Sequence, residues 1–130
     1  MSEYLHQELS SNIISCFYKV YNTLGFGFLE KVYENALLIE LTKSGLFVER
    51  QKPIKVHYEE KIVGEYFADI MVENKIILES KAAESLIEEH ELQLINYLKA
   101  TDIELGLLLN FGKKPEIRRK IFSNNQRKSV

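Results

Sequence analysis

Two acids and a lysine attract attention because they interrupt apolar runs: Asp69 within Phe67-Ala68-Asp69-Ile70-Met71-Val72, and Glu79 and Lys81 within Ile76-Ile77-Leu78-Glu79-Ser80-Lys81-Ala82. Alternate residues of a strand share a face, so Glu79 and Lys81 project together, with Leu78 and Ser80 on the opposite side. The intervening Glu73-Asn74-Lys75 reads as a hairpin turn. Pairing outward from Val72 and Ile76 then brings Asp69 opposite Glu79, and three charges converge. Charges inside apolar strands are costly unless paired or bound to a metal. A structural ion-pair cluster is one reading. The other is a divalent cation site, since two acids and one lysine leave a negative charge to balance. Magnesium (or manganese) would take Asp69, Glu79, the backbone carbonyl of Ser80 and several waters. Lys81 would then orient or deprotonate an attacking water, while the cation stabilises charge developing on a phosphate.

Other chemistry-bearing residues are less telling. His6, His57 and His90 lack metal-ligand spacing, and Gly25-Phe26-Gly27 lacks the Gly-Lys-Ser/Thr of a phosphate-binding loop. Cys16 is the single cysteine, which excludes an internal disulfide and a cysteine-built zinc site and suits a buried structural thiol. Glu30 lies where a helix begins, a place that favours any acid. Tyr33 reads as a core aromatic whose hydroxyl finds a hydrogen bond. His90, Gln93 and Tyr97 form one helical stripe beside the apolar Ile87, Leu94 and Leu98, either solvated or facing the site.

The elements that must position these residues follow from periodicity. Helical spacing runs from about Leu9 to Leu24 and from about Leu29 to Lys43, with Gly25-Phe26-Gly27 between them and Gly45 as a C-terminal cap. Short β-prone pieces follow at Phe47 to Arg50 and Ile54 to Tyr58, separated by Pro53, then strands at Ile62 to Val72 and Ile76 to Lys81. A helix from about Ser85 to Ala100 and a doubly apolar strand, Leu105 to Leu109, predict a right-handed parallel crossover. Pro115 to Phe122 reads as a helix with proline in its first turn, and 123–130 as a frayed basic tail. The expectation is one α/β domain over 1–122, a mixed central sheet flanked by helices.

Charge is unevenly spread. From Lys113 onward seven basic residues stand against one acid, +6 of formal charge, which leaves −8 on the first 112 residues. Lys113, Lys114, Arg118, Arg119 and Lys120 form the densest cluster, suited to a nucleic-acid backbone or simply to a solvated surface. No stretch is long and apolar enough for a membrane span, and Met1 to Ser11 lack a signal-peptide layout, so a soluble cytoplasmic protein is expected.

Gly27-Phe28-Leu29-Glu30-Lys31-Val32-Tyr33 reads Gly-x-x-Glu-x-x-Tyr. With the aspartate strand Gly64 to Val72, the Glu79-Ser80-Lys81 triplet, Gln93 to Leu98 and Gly106 to Phe111 in order, the chain resembles the GxxExxY protein family, a branch of the PD-(D/E)XK nuclease superfamily. The resemblance implies a restriction-endonuclease-like core of order α-β-β-β-α-β. It implies metal binding by Asp69 and Glu79, water activation by Lys81, completion of the site by Glu30, directly or through water, and an auxiliary role for Gln93. The implied activity is metal-dependent hydrolysis of phosphodiester bonds in nucleic acid, with DNA the expected substrate. A non-catalytic nucleic-acid- or protein-binding adaptor on the same fold is the alternative, and a homodimer is compatible with either.

Overall fold

The computed structural model describes residues 5–125. Two helices lead, α1 (Gln7–Leu24) and α2 (Glu30–Lys43). Strands β1 (Val48–Tyr58), β2 (Lys61–Val72) and β3 (Ile76–Lys81) follow, then helix α3 (Glu88–Lys99) and strands β4 (Leu105–Phe111) and β5 (Pro115–Ile121). The five strands form one sheet in chain order, antiparallel except where β3 meets β4 in parallel. The superfamily core order is therefore present with a helix added in front and a strand added behind.

Two apolar layers hold the sheet. Ile13, Phe17 and Val20 of α1 and Tyr33, Leu37 and Leu41 of α2 pack with Ile70, Val72, Ile76, Leu78 and the odd-numbered residues of β4. Leu94, Tyr97 and Leu98 of α3 cover the other face with Ala68, Met71, Ile77 and Leu108. Central β3 and β4 are apolar on both faces because both are covered, as the run Leu105 to Leu109 predicts. Close approach of α3 to β4 needs a residue without a side chain: a Cβ on Gly106 would stand 2.6 Å from Leu94 Cδ1.

Two expectations are corrected. Phe47 to Arg50 and Ile54 to Tyr58 are parts of one edge strand, in which Pro53 faces Phe67. Proline is tolerated there because an edge strand has one side with no ladder to complete. The stretch from Pro115 is a strand, not a helix, paired along its length with β4 from Phe111–Pro115 to Leu105–Ile121. Without it the apolar β4 would present an unpaired ladder edge, and satisfying those backbone groups outweighs local helix propensity. Beyond β5, Phe122 N–H donates to Glu104 O and Asn124 N–H to a Glu104 carboxylate oxygen. The remainder of the predicted tail, 126–130, lies outside the described residues.

Candidate active site

The β2–β3 ladder pairs Val72 with Ile76, Met71 with Ile77 and Ile70 with Leu78, the register read from the turn, and it stops there. On the other side of β2, Arg50 pairs with Ile70 and Lys52 with Ala68, while Gln51 between them adopts a left-handed φ of 50°. Side-chain alternation also breaks at this point: Ile70 enters the layer under α1 and α2, whereas Ala68 enters the layer under α3. Asp69 therefore sits where the sheet opens.

Side chains complete the pairing that the backbone gives up. Asp69 N–H donates to Glu79 Oε2 at 3.0 Å, and Ser80 N–H donates to Asp69 Oδ2 at 2.9 Å. The two carboxylates are close, and Glu79 is only 5% exposed. Burial, and then the neighbouring Asp69 charge, pushes the Glu79 carboxyl up to about 8. Asp69 is raised too, by burial first, with Glu34 and Glu30 adding to it against the lowering effect of the Ser80 hydrogen bond. Lys81 favours the ionised form of both acids without forming an ion pair with either among the described residues. That argues against a simple lysine-bridged cluster.

The leading motif sets Glu30 at the start of α2. Gly27 has a φ of 115°, a conformation side chains rarely tolerate. Tyr33 is fully buried and stacked on Phe111, with centroids 4.5 Å apart and planes at 11°. Its hydroxyl donates to Gly25 O at 2.6 Å and accepts from Phe28 N–H at 3.1 Å. The tyrosine thus ties down the loop from which Glu30 starts α2. Glu30 is exposed, and its charge reaches both Asp69 and Glu79.

Glu34, one turn further along α2, was not singled out by sequence. It is 4% exposed, accepts from Gln51 Nε2 at 3.1 Å and from Lys31 Nζ at 3.4 Å, and has Arg50 at 3.9 Å. Its four-residue spacing from Glu30 places both on one helical face, a signal the sequence did carry.

Behind Lys81, Asn110 acts as a clamp. Its amide accepts from Ala83 N–H and donates to Ala83 O, both at 2.9 Å, and also donates to Glu116 Oε1 at 3.1 Å. Gly112 lets the chain pass so closely that a Cβ there would lie 2.1 Å from Ala83 O. On α3, Gln93 Nε2 donates to the Tyr97 hydroxyl at 3.0 Å. That hydroxyl is pushed up to about 12 by burial and by the nearby Glu79 and Asp69 charges.

Residues 7–120 match the family described as PD-(D/E)XK nuclease superfamily. The chain belongs to that superfamily. No curated protein matches it. Among solved structures, the crystal structure of SSO0001 matches at 18% identity with a TM-score of 0.60, covering 76% of this chain and 53% of that one. The chain thus spans about half the length of that structure, and the likeness shows the fold alone. Membership makes a nuclease-like core and a divalent metal the superfamily's expectation for this site.

Among the described residues, no three or more His, Cys, Asp or Glu side chains are grouped as a metal cage. Magnesium does not need one, since it uses one or two carboxylates and keeps much of its water. Asp69 Oδ1 and Glu79 Oε1 make no hydrogen bond to protein among the described residues, and two like charges sharing a buried site favour a cation. The donor set fits.

The basic cluster is divided by the strand it forms. Arg118 and Lys120 both pair with Glu91 on α3, Arg118 at 3.5 Å. Arg119 turns the other way, donating to Leu5 O at 2.8 Å and to Ser10 Oγ at 3.4 Å. Lys113 and Lys114 are exposed at the β4–β5 turn. The five cations do not share one face. Among the described residues, no helix is long and apolar enough to cross a membrane.

Proposed function

We propose that this chain is a metal-dependent nuclease of the GxxExxY branch, hydrolysing phosphodiester bonds in DNA with magnesium (or manganese) at Asp69 and Glu79. The observation that carries the reading is the reciprocal contact of these two acids at the opening of the sheet, with Lys81 in no ion pair among the described residues. The Ser80 carbonyl is the proposed third protein ligand, with Glu30 contributing through water. When bound, the cation supplies the Lewis acid that stabilises charge developing on the scissile phosphate.

The remaining steps belong to the chain. Glu79 would give up the proton it retains when a cation is held there, because the carboxylate is then balanced by opposite charge. Lys81, half-buried and held by the Asn110 clamp on the loop that follows it, orients the attacking water and takes part in its deprotonation. Gln93 and Tyr97 form the wall towards α3 and position the phosphate. Exposed Lys113 and Lys114 are the proposed phosphate contacts of the basic cluster. Arg118, Arg119 and Lys120 add long-range attraction while they brace β5 against α3 and α1.

Incubating the chain with labelled single-stranded and duplex DNA in magnesium tests the reading. Products that vanish in Asp69→Asn and Lys81→Ala are expected. If folded wild type cleaves neither DNA nor RNA, the catalytic reading fails and the adaptor takes its place.

A further inference from the structure

A groove of about 910 Å³ runs between the outer half of the β1–β2 hairpin and α3. Its volume lies at the upper end of clefts that enclose a small ligand, roughly 300–1,000 Å³. That scale suits a short unpaired segment of polymer and not a double helix. Tyr66 stands on the hairpin wall, 49% exposed, with its ring centroid 5.6 Å from that of buried Tyr97. The half-exposed ring of Tyr66 thus leans on that of Tyr97 with its plane tilted by 43°.

The polar lining complements that ring. Gln93 gives its N–H to Tyr97, and its oxygen and the whole Asn96 amide carry no hydrogen bond to protein among the described residues. These amides offer both donors and acceptors to a base edge. Lys55 on β1 and Lys99 on α3 supply positive charge from opposite walls, against Glu89 as the one lining carboxylate. Aromatic platforms interleaved with cations suit single strands, whose bases are free to stack, whereas a duplex keeps its bases stacked inside. The groove also adjoins the strand that carries the centre described above: Tyr97 lines it and packs in the same apolar layer as Ala68, the residue before Asp69.

We propose that this groove holds an unpaired nucleic-acid strand, with a base stacked on Tyr66, and delivers its backbone to the Asp69–Glu79 pair. The inference rests on the nuclease reading and names its substrate class.

The test is fluorescence anisotropy of the full chain in EDTA with a labelled oligothymidylate, a duplex of equal length, and thymidine monophosphate as competitor. The single strand should bind more tightly than the duplex. Tyr66→Ala should weaken it by roughly five- to 150-fold, the worth of one base–aromatic stack, and Tyr66→Phe should restore it. Tyr66 is half-exposed, and circular dichroism controls for folding. Unchanged affinity in folded Tyr66→Ala, preference for the duplex, or competition by the monophosphate at the strength of the strand would overturn the proposal. Cleavage of duplex alone, lost in Asp69→Asn, would overturn the single-strand inference and leave the nuclease reading standing. Ring-dependent binding of single strands without cleavage in magnesium would uphold the groove and overturn hydrolysis.

Discussion

Asp69 and Glu79 hold each other through the backbone: the Asp69 N–H is bonded to the Glu79 carboxylate, and the Asp69 carboxylate to the N–H of Ser80, the residue after Glu79. The contact closes a gap in the ladder, yet it places two acids together in a buried position, where both cannot ionise without cost. Stability is spent on a site that a cation would relieve.

The first prediction follows from that conflict. An acid with a higher pKa folded than unfolded keeps a proton that the unfolded chain has lost, so stability falls as pH rises through that window. For Glu79 the window extends from its ordinary 4.5 to about 8, and Asp69, also raised, acts in the same direction. Glu91 and Glu116, held below the ordinary range by hydrogen bonds to Lys120 and Asn110 respectively, titrate beneath it. In metal-free buffer the two acids should lower the melting temperature between pH 5 and 9, against His6 and His90, whose imidazoles are held below their ordinary value by burial and act the other way. Glu79→Gln, which can still accept from Asp69 N–H, should flatten that slope and exceed wild type at pH 9 by on the order of 1–3 kcal/mol. A parallel pH profile in the variant would refute the assignment.

Cation binding should reverse the same penalty. Magnesium or manganese is expected to raise the melting temperature of wild type at pH 8, by mass action on the folded state. Calorimetric titration should show Asp69→Asn binding at least tenfold more weakly. Equal affinity would remove Asp69 from the metal site.

Lys81→Ala should leave metal affinity nearly intact while lowering cleavage by roughly 10²–10⁴-fold, the range for a group acting on proton transfer in the transition state. Single-turnover rates and calorimetry on the same protein separate the two effects. A variant that loses both together would make Lys81 a structural residue.

Ser80 should contribute only its backbone. Its hydroxyl is buried without a hydrogen-bond partner among the described residues. Ser80→Ala should therefore stabilise the fold by about 1 kcal/mol in urea denaturation and keep both metal affinity and cleavage. Loss of metal binding would show that the hydroxyl has a use.

The Tyr33 hydroxyl serves two backbone groups of the loop before Glu30. Tyr33→Phe should cost about 1–2 kcal/mol in stability. It should also reduce cleavage more than metal affinity, since Glu30 acts from the rim. Denaturant titration beside activity checks this, and unchanged stability would contradict the pinning role.

The sequence by itself determined the central hairpin. A three-residue turn between apolar strands admits one register that buries both faces, and a one-residue slip would turn Glu79 and Lys81 to the wrong side. Helices α1, α2 and α3 and the parallel β3–β4 crossover were legible for the same reason, because hydrophobic period records which face is covered. Tertiary structure alone decided the rest. Ile117, Arg119 and Ile121 alternate with Glu116, Arg118 and Lys120, but charge on both faces hides the period of two. Only the open edge of β4 and the presence of Glu91 across from Arg118 and Lys120 make that segment a strand. The same holds for Glu34: its place on α2 was readable, whereas its burial beside Gln51 depends on how α2 packs against β1. Local pattern fixes which residues an element presents, and long-range packing fixes what they meet.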